Sequence, residues 1–593
     1  MRNSLALLRR HWKQFAHNDQ VKLSILAVVI GVAVAYGALG FRAGIDLIQG
    51  QTFGFPLHNG FHLVASLPWW LVLAVPTAGG LAIGLFVQFL MPGHRGCGVA
   101  DVIEAGARHS GRMDPLTTIK AAALSLGSIG VGASVGREGP VIHLGAGLAS
   151  WVAQRLHLSP SLSLTLLGCG LASAIGASFN APIAGVFFAL EVVIGHYALH
   201  TFAPVVIAAV AGTVISRIHF GDFPAFIIPD YSIGSFFEFP AFILLGIVCA
   251  AAAIMFIKSV FAAEDLIDRV GLPIWLRPMI GGLAVGMIGV FLPHVLGVGY
   301  AATDAALQGA MSLWLLLALI VAKTAATAIS LGSRFGGGVF SPSLFVGAMV
   351  GGAFGVIAGS IFPNLAASPG FYAIIGMGAV AAPVIGAPIS TMLIVFELTG
   401  EFQVVLAAMV AIAISTLISQ QVVGRSLFFG QLKRRGVAIR AGRIEQLLTA
   451  THVGDLMTGD FDTVREDAHA NEIRDIMENT TFGDFFVVDA EGRLVGSLTF
   501  GSLRGISLDE ELNQLINARD IARLNPPVLC EDDDLEEALR LMERYREDSL
   551  PVVDDRENRR VVGILQHKVA LMAYNKALIR ARAEEHDEDE GRP

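Results

Sequence analysis

Glu138 is an ionisable side chain set between glycines in an otherwise apolar stretch, Gly136-Arg137-Glu138-Gly139-Pro140. Two further glycine-rich runs share its character, Gly96-Cys97-Gly98-Val99-Ala100 and Gly336-Gly337-Gly338-Val339-Phe340-Ser341-Pro342. Each precedes a helix-compatible apolar run, and two carry proline where a first helical turn would begin. A helix starting there turns unpaired N–H groups and the positive end of its dipole towards the loop. Glycine lets that backbone approach an ion closely. Taken singly, each loop fits tight helix packing as well as it fits anion binding. Together, three such termini meeting inside a bilayer would hold an anion without burying a full positive charge. A weakly held monovalent anion suits them better than phosphate, which would call for clustered Arg or Lys. No Gly-Lys-Ser/Thr follows any of the loops, so phosphate-loop nucleotide binding has no support.

The elements that must position these loops are membrane helices. Of 593 residues, 54% are hydrophobic and 15% charged, against about 25% charged in soluble chains. Glycine is abundant at 66 residues, which suits close-packed membrane helices. The net charge of −9 argues against a nucleic-acid partner, and four scattered cysteines build no disulfide framework. Leu23–Gly40, Leu63–Leu90, Phe242–Ile257, Leu313–Ile329 and Val404–Ile418 are long enough to cross roughly 30 Å of hydrocarbon. Cys97–Ala107, Val141–Ala153 and Ala301–Gly309 are shorter and broken, so they belong where backbone lines a polar cavity. Residues 1–20 read as a cytoplasmic or interfacial helix without a signal-peptide cleavage site. Arg9, Arg10 and Lys13 before the first span, and Lys433-Arg434-Arg435 after the last, place both termini in the cytoplasm.

Two internal repeats organise the chain. In the apolar part, Asn180-Ala-Pro-Ile-Ala-Gly-Val-Phe-Phe-Ala-Leu-Glu191 returns as Gly386-Ala-Pro-Ile-Ser-Thr-Met-Leu-Ile-Val-Phe-Glu397, with proline nine positions before glutamate in both. Repeated halves of this kind carry substrate near the midplane, at broken helices. From Ala450 the composition turns polar. Val453-Gly-Asp-Leu-Met457, Ala470–Asn479, Phe485-Phe-Val-Val-Asp489 and Leu494-Val-Gly-Ser-Leu498 are echoed by Ala518-Arg-Asp-Ile521, Leu535–Arg544, Leu550-Pro-Val-Val-Asp554 and Val561-Val-Gly-Ile-Leu565. This tandem plan resembles a pair of CBS domains, at 451–508 and 518–575, after a linker at 436–450. An acidic tail over 576–593 reads as disordered.

Gly136-Arg-Glu-Gly-Pro140 and Gly338-Val-Phe-Ser-Pro342 resemble signature loops of the CLC chloride channel and transporter family, and Gly96-Cys-Gly-Val-Ala100 resembles its Gly-Ser-Gly-Ile-Pro loop. The likeness extends over residues 21–435, and tandem CBS domains also follow the membrane part in that family. It implies an all-α polytopic membrane protein of two inverted repeats with broken, tilted helices, plus cytoplasmic α/β CBS modules. It also implies a homodimer with one pore per subunit; the expected location is the inner (plasma) membrane of a prokaryote. Glu138 corresponds to the gating glutamate, whose carboxylate competes with chloride. Backbone N–H groups of Arg137, Glu138 and Gly139, with those of Val339, Phe340 and Ser341, would hold the outer anions. Those of Val339 and Phe340 would meet a central one. Arg137 would add positive potential or form an ordinary ion pair.

The departures from the family pattern bear on mechanism. Cys97, in the Gly96 loop, stands where many relatives offer a serine hydroxyl, and a thiol is the weaker donor. Ser426-Leu427-Phe428 resembles the family's Ser-Ile-Tyr, so Phe428 replaces a tyrosine that faces the ion. Glu191-Val192 aligns with a pair whose second member is an internal proton glutamate in many exchangers, and Val192 carries no proton. Glu191 and Glu397 read as braces for helix ends. The expected activity is therefore transport of chloride and similar monovalent anions, channel-like or weakly proton-coupled, with stoichiometric H⁺/Cl⁻ antiport as the alternative. A CBS-containing divalent-cation transporter is a remote third reading, disfavoured by helix starts that would repel a cation. An intramembrane hydrolase lacks its Gly-x-Ser-x-Gly or His-Glu-x-x-His, no metal site is expected, and the chain is not read as an enzyme. No cofactor is expected in the anion path. Adenine nucleotide at the CBS pair stays open, although Thr499-Phe-Gly-Ser502 and Gln566-His-Lys568 lack the usual ribose-binding aspartate.

Overall fold

Serine and proline decide where many helices begin. Ser159 and Ser368 cap helices that open on Pro160 and Pro369, and Asp114 Oδ2 takes the Thr117 N–H at 2.8 Å ahead of the helix opened by Pro115. The computed structural model describes residues 19–221, 236–363, 367–437, 448, 451–479, 484–499 and 516–586. The chain divides into two units, Met1–Ile439 and Arg440–Pro593. Most of the expected N-terminal helix and of the 436–450 linker lie outside the described residues.

The first unit is helical, and its order runs twice. Asp19–Thr52, Trp69–Leu90, Val99–Arg108, Pro115–Gly130, Glu138–Arg155, Pro160–Phe179, Pro182–Phe188 and Leu199–Phe220 are matched in turn by Phe239–Val270, Arg277–Phe291, Tyr300–Leu307, Leu313–Gly332, Phe340–Ile361, Pro369–Ile385, Pro388–Thr399 and Phe402–Val423. Leu427–Arg434 closes the unit. Packing repeats with the order: the Glu138 helix lies on the Pro160 helix as the Phe340 helix lies on the Pro369 helix. Every residue from Gly370 to Ile385 is buried, as expected of a helix apolar on all sides. Nine helices among the described residues are long and apolar enough to cross a membrane, and the protein is a multi-pass integral membrane protein.

The halves interlock where backbone meets backbone. A Cβ on Gly84 would stand 1.9 Å from Trp275 O, and one on Gly282 would stand 2.0 Å from Pro76 O. Only glycine permits that approach between the Trp69 helix and the Arg277 helix with the short turn Ile274–Leu276 before it. Two sequence expectations need correction. Leu63–Leu90 is not one span: a short helix, Phe61–Ala65, ends before Pro68, and the long helix starts at Trp69. Leu67 is pushed out of helical geometry by the proline that follows it. Val141–Ala153 is not broken but lies within the continuous helix Glu138–Arg155, because its glycines are buried among neighbouring helices.

The second unit holds two small sheets. In one, Thr463–Arg465 runs parallel to Asp484–Val488, which pairs antiparallel with Leu494–Thr499, and Arg523–Leu524 joins the far edge. In the other, Leu529–Cys530 runs parallel to Ser549–Val553, antiparallel to Val561–Gln566. A register shift recurs at Val487/Val488 and Val552/Val553, so the repeat extends to its irregularities. The lead-in segments are exchanged, however. Val453 packs with Leu529, Leu535 and Leu565 of the second repeat, and Thr458 bridges Ile564, while Ala518 packs with Val464 and Phe485 of the first. Short sheets leave open edges, and each is covered by the chain leading into the other. The tail expectation is corrected for residues 576–586, where the helix His567–His586 continues, and the rest of the tail, 587–593, lies outside the described residues. Its Ala, Leu, Arg and Glu are good helix formers, and Ala577 is anchored in the second core.

Candidate anion-conducting site

The Gly136 and Gly338 loops are bonded to each other. Gly136 N donates to Gly338 O at 2.7 Å and Gly338 N to Gly136 O at 2.8 Å, an antiparallel bridge between the two halves. A Cβ on Gly139 would lie 3.1 Å from Gly338 Cα. The helices Glu138–Arg155 and Phe340–Ile361 leave from this bridge, each with proline, Pro140 or Pro342, in its first turn. The N–H groups of Arg137, Glu138 and Gly139, and of Val339, Phe340 and Ser341, belong to first turns that have no intrahelical acceptor to offer them. Two positive helix ends thus meet at one point.

Glu138 lies at that point, 1% exposed. Tyr300 Oη donates to its Oε1, and Ser341 Oγ donates to its Oε2 at 2.5 Å. Both carboxylate oxygens are thus engaged by hydroxyls. Arg137 Nε is 3.8 Å from Oε1, too far for a close ion pair, and its guanidinium lies 4.7 Å over the Tyr300 ring. Two cavities approach this carboxylate and share no lining residue. One, of about 550 Å³, is lined by Gly96, Cys97, Gly139, Val339 and Phe428, with arginines (Arg95, Arg334, Arg434, Arg435) and carboxylates (Asp101, Glu264, Asp265, Asp268) both contributing. The other, of about 260 Å³, is lined by Arg42, His58, Arg137, Asn180, Tyr300 and Asp304. Glu138 stands between Arg137, which faces one cavity, and Gly139, which faces the other.

Comparison with known proteins decides what the site belongs to. The voltage gated chloride channel family matches residues 79–420, and the CBS domain family matches 453–509 and 518–568. The chain belongs to the voltage gated chloride channel family. It is 36% identical over 392 residues to a ClcB-like chloride channel protein of Ralstonia nicotianae, covering 65% of this chain and 91% of the relative. It is 30% identical over 435 residues to the H⁺/Cl⁻ exchange transporter ClcA of Yersinia pestis, covering 71% and 90%. Among solved structures, a slow cyanobacterial Cl⁻/H⁺ antiporter superposes with a TM-score of 0.63 at 21% identity, over 70% of this chain and 97% of that one. A eukaryotic CLC transporter superposes with a TM-score of 0.62 at 20% identity, over 92% and 98%. These two likenesses bear on the fold alone.

With the CLC framework in place, the sequence-predicted residues divide into three groups. Gly96, Cys97, Gly139, Val339 and Phe428 share the larger cavity, and Arg137 lies on the smaller one. Phe340 is buried with its ring against Phe179 and Phe188, at centroid distances of 5.1 and 6.2 Å, so only its backbone is available at the site. Val192 is 6% exposed on the π-turn Ala189–Ile194 and lines neither cavity. The glutamate before it is a brace. Glu191 Oε1 accepts the Ile389 N–H at 3.1 Å, and Oε2 accepts the Ser390 N–H at 2.9 Å and its hydroxyl at 2.5 Å. Glu397 reciprocates, taking the Ile183 and Ala184 N–H groups at 2.8 and 2.7 Å. Each half caps a helix start in the other.

Three residues at the site escaped the sequence reading. Tyr300 is one, although a fourth glycine-rich run, Gly297-Val298-Gly299, leads into its helix. Lys323 is fully buried and donates to Val295 O at 3.0 Å and Gly297 O at 2.8 Å, fixing the turn that aims Tyr300. Asp101 is the third. Its Oδ2 takes the Gly98 N–H at 2.8 Å, and its Oδ1 holds Arg95 at 2.7 Å and Arg435 at 3.0 Å. It thereby ties the Cys97 loop to the end of the helix that carries Phe428.

Proposed function

We propose that this CLC-family protein moves chloride and similar monovalent anions between the two cavities past Glu138, in a channel-like or weakly proton-coupled manner. The observation that carries the reading is the buried Glu138 carboxylate, held by Tyr300 and Ser341 between Arg137 and Gly139. Chloride takes the place of the carboxylate beside these first-turn N–H groups when the side chain leaves. Weak coupling follows from two features. Val192 has no proton to give, and both Glu191 oxygens are engaged at the Pro388 helix start. Cys97 offers the central anion a weaker side-chain donor than a hydroxyl, and Phe428 offers none. The rival is stoichiometric H⁺/Cl⁻ exchange, supported by the printed activity of the Yersinia pestis relative. The deciding measurement is the reversal potential of the full chain in liposomes under opposed chloride and pH gradients. A potential that follows chloride alone supports the proposal; sustained uphill proton movement at a fixed ratio overturns it.

The protein works as a homodimer with one pore per subunit, in the inner membrane of a prokaryote and with both termini in the cytoplasm. The CBS pair has a structural or dimerising role, since neither Thr499-Phe-Gly-Ser502 nor Gln566-His-Lys568 supplies an aspartate for a ribose.

A further inference from the structure

Residues 109–114 form a built loop away from the anion path. It joins the helix Val99–Arg108 to the helix Pro115–Gly130. Ser150 Oγ accepts the Met113 N–H at 2.8 Å and donates to Gly111 O at 2.7 Å, and Gln154 Nε2 donates to Met113 O at 2.8 Å. Ser110 and Gly111 both sit at positive φ, 50° and 76°. The loop borders an open cleft of about 610 Å³, lined by Arg108, His109, Arg112, Asp114 and Gln154 among others. Arg108 and Arg112 are exposed and have no ion-pair partner among the described residues. Asp114, the one carboxylate lining the cleft, is turned to its own helix, where Oδ2 accepts from the Thr117 N–H at 2.8 Å and its hydroxyl at 2.5 Å. The cleft therefore presents net positive charge.

Its surroundings identify the counter-charge. The two helices that carry the loop and its clamp expose apolar side chains next to it: Leu116 at 58%, Ile119 at 63% and Trp151 at 45%. In a membrane-spanning unit these faces meet acyl chains, and a tryptophan near a helix end belongs at the headgroup level. Acyl-facing side chains that lead into a cationic cleft match a lipid with a negative headgroup.

We propose that this cleft is a binding site for an anionic phospholipid, its phosphate between Arg108 and Arg112 and its chains along Leu116, Ile119 and Trp151. The site is independent of how the protein couples anions to protons. The bound headgroup also anchors the C-terminal end of the Val99 helix, whose N-terminal end follows the Cys97 loop.

Trp151 supplies the test. The full chain is placed in phosphatidylcholine vesicles containing a minority of phosphatidylglycerol, and one or the other lipid is brominated. The Trp151 signal is isolated by difference from Trp151→Phe. Brominated phosphatidylglycerol is expected to quench Trp151 well beyond its mole fraction, with a preference of roughly 30-fold from two arginines near the surface. Arg108→Gln/Arg112→Gln reduces quenching to the mole fraction, Arg112→Gln alone gives an intermediate value, and Arg108→Lys/Arg112→Lys keeps the preference. Equal quenching by both lipids in the wild-type protein overturns the proposal, as does an undiminished preference in the double glutamine variant. Abolition of the preference by free inorganic phosphate also overturns it, since the cleft would then be a site for a soluble ion.

Discussion

Removing one hydroxyl should unlatch the gate. Tyr300→Phe keeps the ring on which the Arg137 guanidinium rests, 4.7 Å from its centroid, and deletes only the donor to Glu138 Oε1. A hydrogen bond to a charged acceptor contributes about 1.5–3 kcal/mol. At about 1.4 kcal/mol per factor of ten, the ratio of blocked to unblocked pores should fall roughly 10- to 150-fold. Ser341→Ala removes the donor to Oε2 and should act in the same direction. The gain in flux is smaller than the shift in the ratio, because throughput saturates once most pores are unblocked.

Chloride efflux from loaded liposomes, with density of the reconstituted protein held constant, reads this directly. Glu138→Gln sets the ceiling, since it removes the blocking charge, and should raise flux and flatten its pH dependence. In that background Tyr300→Phe should add little, because the charged acceptor it served is gone. The reasoning fails if Tyr300→Phe and Ser341→Ala both leave efflux unchanged while Glu138→Gln raises it. It fails equally if Tyr300→Phe has the same effect with and without the Glu138 carboxylate.

Cys97→Ser and Phe428→Tyr should each tighten chloride binding by roughly 0.5–1.5 kcal/mol, a hydroxyl donating where a thiol or a bare ring stood; calorimetry on the purified protein checks this, and flat affinities across both variants would count against the central placement. Glu191→Ala and Glu397→Ala should each lower the melting temperature in detergent by a similar amount, since each removes a carboxylate that serves two backbone N–H groups at about 1.5–3 kcal/mol per charged bond. Neither variant should move the reversal potential; a shift in Glu191→Ala alone would return Glu191 to the transport machinery.

What could be read from the sequence depended on how far apart the partners lie along the chain. The glycine-rich loops are contiguous, and their residue types state their own chemistry, so Glu138, Cys97 and the Val339 turn were legible before any fold was known. The same holds for the Pro-to-Glu spacing of the duplication. Tyr300 was not, because its role depends on Glu138, 162 positions away, and a tyrosine at a helix start is unremarkable by itself. Asp101 looks like an ordinary N-terminal carboxylate until Arg435 arrives, 334 positions later. Which sheet each CBS lead-in joins was not legible for the same reason. Repetition fixes what each unit contains, whereas edge pairing decides which copy a segment joins.

The duplication also explains how an anion site can be held inside a membrane with so little charge. Neither half closes the site alone: Gly136 needs Gly338, and each of Glu191 and Glu397 caps a helix start in the opposite half. A carboxylate at a helix N-terminus is stabilised there by the N–H groups and the dipole. At the Pro182 and Pro388 helices a glutamate from the other half fills that position for good. At the Glu138 and Phe340 helices the position is contested, because the glutamate is on the first turn itself and its hold rests on two hydroxyls from other helices. The chemistry of all four helix starts is the same. Fixed caps lock two of them as scaffold; under the proposed function, a releasable one leaves the other two to the anion.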